Sequence, residues 1–146
     1  MSTVLLVDDD LDALWALQLA LEDRDHHVVL AENGRQAMEK LTREPIQLVV
    51  TDWEMPDMDG LELCRSIRCR PSMVDLPVVL MSAAAEPTEV NRNWSAFLRK
   101  PFSPDMLLER IEMFLARRLV LSGRGSLPGY PPPATRWPAL DARCWP

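Results

Sequence analysis

TVLLVDDD, residues 3–10, is a short apolar run that ends abruptly in three adjacent aspartates. A continuous apolar run of this length is typical of a strand that is covered on both faces, as in a parallel sheet. Like charges packed this closely repel each other. A buried strand that ends in Asp8, Asp9 and Asp10 therefore needs a counter-charge, and the sequence must supply the rest of that site elsewhere.

The remainder of the chain alternates between strand-like and helix-like segments. Apolar runs predict strands at 3–7, 27–31, 47–51, 76–82 and 96–99. Helical spacing of apolar residues predicts helices at 11–24, 33–44, 61–69 and 103–119, and Ser103 is a suitable N-cap for the last. The segment 86–94 is ambiguous. Five strands alternating with about five helices predict an α/β fold, a parallel sheet with helices on both faces.

Oxygen-bearing and cationic residues follow the predicted strands at their carboxyl ends, where open parallel sheets bind ligands. The first strand ends in Asp8 and Asp9, the third ends near Asp52, the fourth ends in Ser82, and the fifth is followed by Lys100. Converging carboxylates are typical ligands of Mg²⁺, which would also cancel their repulsion. A metal beside a carboxylate and a lysine suggests phosphoryl chemistry, with the aspartate as nucleophile.

Composition excludes several classes of protein. The chain has 146 residues, and its net charge of -6 argues against nucleic-acid binding through a basic face. The N-terminal residues lack the basic region of a signal peptide, and no apolar segment reaches membrane-spanning length, so we expect neither export nor a membrane contact. Three cysteines without metal-ligand spacing favour a reduced, cytoplasmic setting.

Four ordered motifs, LLVDDD, TDWEMPDMDG, LMSAAA and FLRKPF, resemble the receiver domain of bacterial two-component response regulators over residues 3–118. The resemblance implies a doubly wound, flavodoxin-like sheet of five parallel strands. It also implies Asp52 as the phosphoacceptor and a Mg²⁺ site formed by Asp8, Asp9, Asp52 and the main-chain carbonyl of Glu54. By the same resemblance, Ser82 and Lys100 contact the phosphoryl group, and Phe97 occupies the aromatic switch position.

The resemblance further implies a function and partners. We expect a single-domain response regulator, not an enzyme with turnover, that receives a phosphoryl group from a sensor histidine kinase or a histidine phosphotransfer protein. Its signal would pass to an unknown downstream protein by direct contact. The receiver domain is predicted at residues 1–120. Residues 121–146 are predicted to be a Pro-rich, disordered extension.

One segment departs from the family pattern. The stretch between Ser82 and Lys100 is short, and Pro87 restricts where a helix can start, so we expect helix four to be reduced to about two turns. In that case Phe97 should be largely buried even without a phosphoryl group.

Two other functions remain open. A receiver fold that docks partners without regulated phosphorylation is favoured by the short segment and opposed by the intact acidic, hydroxyl and lysine positions. A phosphatase with an aspartate nucleophile would need a Thr or Val where Asp12 stands, and a cap domain for which the chain is too short.

Overall fold

The computed structural model describes residues 2–88 and 92–123, with side chains through Arg117. Five strands lie in this part of the chain: β1 Thr3–Val7, β2 His27–Ala31, β3 Leu48–Asp52, β4 Val78–Ser82 and β5 Ala96–Arg99. The helices are α1 Leu11–Glu22, α2 Gly34–Arg43, α3 Gly60–Arg68, a short 3-10 helix Pro71–Met73, and α4 Pro104–Gly123.

The five strands form one parallel sheet in the order β2-β1-β3-β4-β5. β1 and β3 are direct neighbours at the centre, and β4 follows β3. All five residues of β3 and of β4 are buried. Burial on both faces explains why these strands are continuous apolar runs rather than alternating ones. The predicted doubly wound α/β fold is confirmed.

Helices cover both faces of the sheet and divide the core into two layers. On one face, α1 and α4 pack over the sheet with their buried leucines and isoleucine, among them Leu14, Leu21, Leu107 and Ile111. On the other face, α2 and α3 do so with a second set, Ala37, Leu63, Cys64 and Ile67. Each fully buried Leu or Ile side chain stabilises the fold by roughly 1.5–3 kcal/mol.

Polar residues start the helices at the positions where the sequence places cap residues. The side chains of Asp10, Asn33 and Asp59 accept backbone N–H groups in the first turns of α1, α2 and α3. The Ser103 hydroxyl accepts the N–H of Met106 at the start of α4. These bonds satisfy donors that a helix leaves unpaired at its N-terminus. The third aspartate of the opening motif is therefore a helix cap.

The segment between β4 and β5 differs from expectation. Its described residues, 83–88 and 92–95, contain no helix, so the predicted two turns of helix four are not found among them. Trp94 anchors this segment to the core. Its ring is buried in the layer formed by α2 and α3, and its Nε1 donates to Glu86 Oε2 at 3.0 Å. Arg92 pairs with the same Glu86 at 2.7 Å and lies over the Trp94 ring.

α4 continues to Gly123, three residues beyond the predicted boundary at 120, and the rest of the predicted extension, 124–146, lies outside the described residues. Cys64 is a buried thiol that forms no disulfide, whereas Cys69 is disulfide-bonded, so the expectation of reduced thiols does not hold for Cys69. Across the described residues, no helix combines the length and apolarity needed to cross a membrane.

Candidate functional site

The acidic residues of the site meet because β1 and β3 are adjacent parallel strands. Asp52 is the last residue of β3, and Asp8 directly follows β1. The register pairs Val7 with Thr51, so the next residue of each strand, Asp8 and Asp52, lies at the same level of the sheet. Both carboxylates are buried, with residue exposures of 1% and 5%, while Asp9 is exposed.

Lys100 supplies a positive charge between the two buried carboxylates. It follows β5, and its backbone N–H donates to the Ser82 carbonyl at 2.8 Å, which fixes the chain beside the end of β4. Its ammonium lies 3.1 Å from Asp52 Oδ1 and 3.7 Å from Asp8 Oδ2. Lys100 is therefore the protein's own counter-charge for the aspartates that follow β1.

The pKa values of the buried acids are raised. Burial is the largest cause at Asp52, where it outweighs the attraction of Lys100 and, with a smaller contribution from Asp8, raises the pKa to about 6. Burial also raises the pKa of Asp8, against a bond from the Asp10 backbone. Repulsion from the neighbouring acids acts in the same direction, but desolvation is the main reason.

The pKa of Lys100 is raised as well. Burial alone would lower it, but the nearby Asp52, Asp8 and Glu54 favour the charged form and win. Lys100 therefore keeps its positive charge beside the carboxyl groups of Asp8 and Asp52.

The same three aspartates fit a divalent cation. One carboxylate oxygen from each of Asp8, Asp9 and Asp52 lies within 4.8 Å of the others. Among the described residues, the Lys100 ammonium is the group that faces the buried oxygens Asp8 Oδ2 and Asp52 Oδ1, at 3.7 and 3.1 Å, and neither oxygen has a further donor. Hard carboxylate oxygens with few donors are suitable ligands for Mg²⁺. The carbonyl of Glu54 stays a prediction as a further ligand.

Ser82 lies where the sequence placed it, but its hydroxyl has a partner that the sequence analysis missed. The residue is fully buried at the end of β4. Its Oγ donates to Glu54 Oε1 at 2.5 Å and accepts the N–H of Ala84 at 3.0 Å. Glu54 was considered only for its main-chain oxygen. Its position two residues after Asp52, in the loop that follows the strand beside β4, is the signal that could have identified it.

Phe97 belongs to β5 and packs against the core layer of α2 and α3, with part of its surface exposed. The ring is partly buried, so the expectation of a largely buried ring without a phosphoryl group is met only in part. The structure gives no contact between Phe97 and the acidic residues, so its role as a switch stays a prediction.

A surface pocket opens beside the acceptor. Asp9, Trp53, Glu54, Met55, Pro56 and Asp59 line it. Next to the lining residue Asp59, Gly60 lies against the acceptor backbone: a Cβ there would clash with the Asp52 carbonyl oxygen and lie 2.9 Å from the Trp53 Cα. The start of α3 therefore packs directly on the backbone that carries Asp52, and this close approach fixes the acceptor loop.

The sequence and the structure both resemble known proteins. The family model for the response regulator receiver domain matches residues 4–112 of the chain. A chemotaxis protein CheY homolog of Campylobacter jejuni is 33% identical over 115 residues, which cover 75% of this chain and 88% of the relative. The signal transduction histidine-protein kinase BarA of Escherichia coli is 34% identical over 109 residues, or 72% of this chain and 12% of that kinase.

Solved structures agree with these sequence relatives. The signal receiver domain of a histidine kinase from Syntrophus aciditrophicus superposes with a TM-score of 0.74 at 27% identity, covering 80% of this chain and 92% of that one. The chemotaxis protein CheY4 of Vibrio cholerae gives a TM-score of 0.72 at 26% identity, with coverage of 78% and 98%. With a family model over most of its length and relatives one-third identical, the chain belongs to the response regulator receiver domain family.

Proposed function

We propose that this protein is a Mg²⁺-dependent phosphoacceptor in a two-component phosphorelay, and that Asp52 receives the phosphoryl group. The observation that carries the proposal is the buried Asp52 carboxylate, 3.1 Å from the Lys100 ammonium and within metal-bridging distance of Asp8 and Asp9. A lone buried carboxylate would be a poor place to add further negative charge. A carboxylate beside a lysine and a metal site is a suitable one.

The transfer needs one bond made and one broken. An oxygen of Asp52 attacks the phosphorus of the donor phosphohistidine, the phosphorus–nitrogen bond breaks, and its electron pair goes to the departing imidazole. Lys100 stays beside the acceptor oxygen and offsets charge on the phosphoryl oxygens, while Ser82 offers a hydroxyl at the end of the next strand. A bound Mg²⁺ would neutralise charge shared between the carboxylates and the phosphoryl oxygens.

The proposed partners are a sensor histidine kinase or a histidine phosphotransfer protein as donor, and a downstream protein that reads the phosphorylated state by contact. We propose a single-domain regulator without catalytic turnover apart from self-phosphotransfer and loss of its own phosphoryl group. We also propose a cytoplasmic location, where ATP-dependent kinases form phosphohistidine. Cell fractionation tests this location: the protein should be recovered in the cytoplasmic fraction, and recovery with the membranes or in the medium would contradict it.

Acetyl phosphate treatment with intact-mass measurement tests the phosphoacceptor role. The wild type should gain one phosphoryl group when Mg²⁺ is present and lose that gain when the metal is chelated. Asp52→Asn should gain none. Uptake by Asp52→Asn at the wild-type level would reject Asp52 as the acceptor.

A second function, a docking module that is not regulated by phosphorylation, has specific support. The described residues between β4 and β5 form no helix, and the Ser82 hydroxyl is already engaged by Glu54. A chain that takes up no phosphoryl group with Mg²⁺ present but binds a partner would support docking. Repeated turnover of phosphate esters would instead support a phosphatase.

A further inference from the structure

The Ser82 hydroxyl has a single proton, and the Glu54 carboxylate holds it. Ser82 is fully buried, so its hydroxyl cannot donate to water instead of Glu54. In its other hydrogen bond the hydroxyl oxygen is the acceptor, and the Ala84 N–H is the donor. A hydroxyl donates one hydrogen bond at a time. In this arrangement Ser82 has no donor left for any other group at the carboxyl edge of the sheet.

We propose that Glu54 is an internal competitor for Ser82, which a phosphoryl group on Asp52 must displace before it can engage the hydroxyl. This rests on the proposed function, since it concerns the regulation of the same site. A phosphoryl group has three acceptor oxygens and carries negative charge, like the Glu54 carboxylate. The two acceptors therefore compete for one proton in neighbouring positions.

The position of Glu54 makes displacement feasible. The residue is exposed and lines the open pocket beside the acceptor, so a displaced carboxylate can be hydrated there. Ser82, in contrast, is held by β4 and the Ala84 N–H, so the hydroxyl stays and its partner changes. The Glu54–Ser82 bond thus favours the unphosphorylated state.

Beryllofluoride, a phosphoryl mimic, tests the competition when its dissociation constant is measured with saturating Mg²⁺. Glu54→Ala removes the competing acceptor and should tighten binding about tenfold or more, since hydrogen bonds to charged groups are among the stronger ones. Glu54→Gln keeps a neutral acceptor and should fall between Glu54→Ala and wild type. The main-chain carbonyl at position 54 remains in every variant.

Two controls separate the hydrogen bond from charge repulsion. Glu62→Gln removes one exposed negative charge at the start of α3, and the structure describes no contact between it and Ser82; it should bind beryllofluoride like the wild type. In the Ser82→Ala background, Glu54→Ala should give no gain beyond that of Glu54→Gln, because the bond under test is already absent.

The outcomes are distinguishable. If the wild type and all variants fail to bind beryllofluoride, the proposed function fails. If the wild type binds and Glu54→Ala does not tighten binding, the competition is overturned while the phosphoacceptor role stands. An equal gain from Glu54→Ala with and without the Ser82 hydroxyl would show that charge repulsion alone is at work, and would also overturn the competition.

Discussion

Asp52 is a buried acid whose charge the fold tolerates at a cost. Its folded-state pKa of about 6 lies above the ordinary value of 3.8, mainly because burial disfavours the charged form. Between these two values the folded state binds more protons than the unfolded state, so stability falls as the pH rises through about 4 to 6. At neutral pH without metal, the full penalty applies. The burial of the proposed acceptor Asp52 therefore lowers the stability of the metal-free domain at neutral pH.

Asp52→Asn should therefore stabilise the metal-free domain at pH 7. A shift of about two pKa units, which already includes the attraction of Lys100, corresponds to a gain of roughly 3 kcal/mol at most. Urea unfolding at pH 7 and at pH 4.5 measures the difference, which should be smaller at the lower pH. An unchanged unfolding free energy at pH 7, or a gain that is as large at pH 4.5, would contradict the assignment.

Lys100 compensates the same buried charge, so its removal should have the opposite effect. Lys100→Ala leaves Asp8 and Asp52 without their cation, and we expect a loss of about 2 kcal/mol at pH 7. This is below the cost of breaking a fully buried pair because the Lys100 side chain is 35% exposed. The loss should shrink when Mg²⁺ is added, since a bound ion neutralises the same carboxylates and stabilises by mass action.

The chain offers a matched control in Lys40, its only other lysine, which lies in the last turn of α2. Thermal melts of both variants with and without Mg²⁺ give the comparison. Lys40→Ala should change the melting temperature little in either condition. If Lys100→Ala lowers the melting temperature by the same amount with and without Mg²⁺, the lysine and the metal do not neutralise the same carboxylates.

At the scale of elements, the Trp94 ring stands where the sequence led us to expect a short helix. Trp94→Phe removes the Nε1 bond to Glu86 and some volume but keeps an aromatic ring in the core, so we expect a loss of about 1–2 kcal/mol. Trp94→Ala should cost about 3–5 kcal/mol through the cavity it leaves. Trp15→Phe is the control, because Trp15 is 63% exposed and its replacement should change the unfolding free energy little.

Chemical denaturation of the three variants tests this assignment. Equal losses in Trp94→Phe and Trp15→Phe would mean that Trp94 does not anchor the segment between β4 and β5.

The elements also show what sequence reasoning can and cannot predict. β1, β2 and β5 were placed with their observed bounds, because a buried strand is encoded in its own run of apolar residues. The four aspartate and lysine positions of the site followed, since parallel strands bring their carboxyl ends together. The Glu54–Ser82 bond and the Glu86–Trp94 bond were not predicted. The first joins side chains on separate segments, and the second joins residues eight positions apart in one loop. No local periodicity records either contact.

On the scale of the whole molecule, the site lies at one edge of the sheet and the two core layers lie on its two faces. The acidic residues and Lys100 lie at the carboxyl edge, while the described core residues span Val4 to Leu115 and pack above and below the sheet. α1 leaves an apolar stripe exposed on its outer face, formed by Leu11, Trp15 and Leu19. Exposed apolar residues at helical spacing are a common feature of surfaces that another segment or protein covers.

A chain shortened to end at Gly123 should fold like the full chain, because every described core residue is retained. We expect the free energy of unfolding in urea to be the same within about 0.5 kcal/mol, which is the size of a neutral surface change. We also expect the same stabilisation by Mg²⁺. A loss above 1 kcal/mol would mean that residues 124–146 pack on the domain. Trp15→Ser then identifies where: if those residues cover the α1 stripe, the substitution should destabilise the full chain and leave the shortened chain unaffected, because only the full chain can bury that ring.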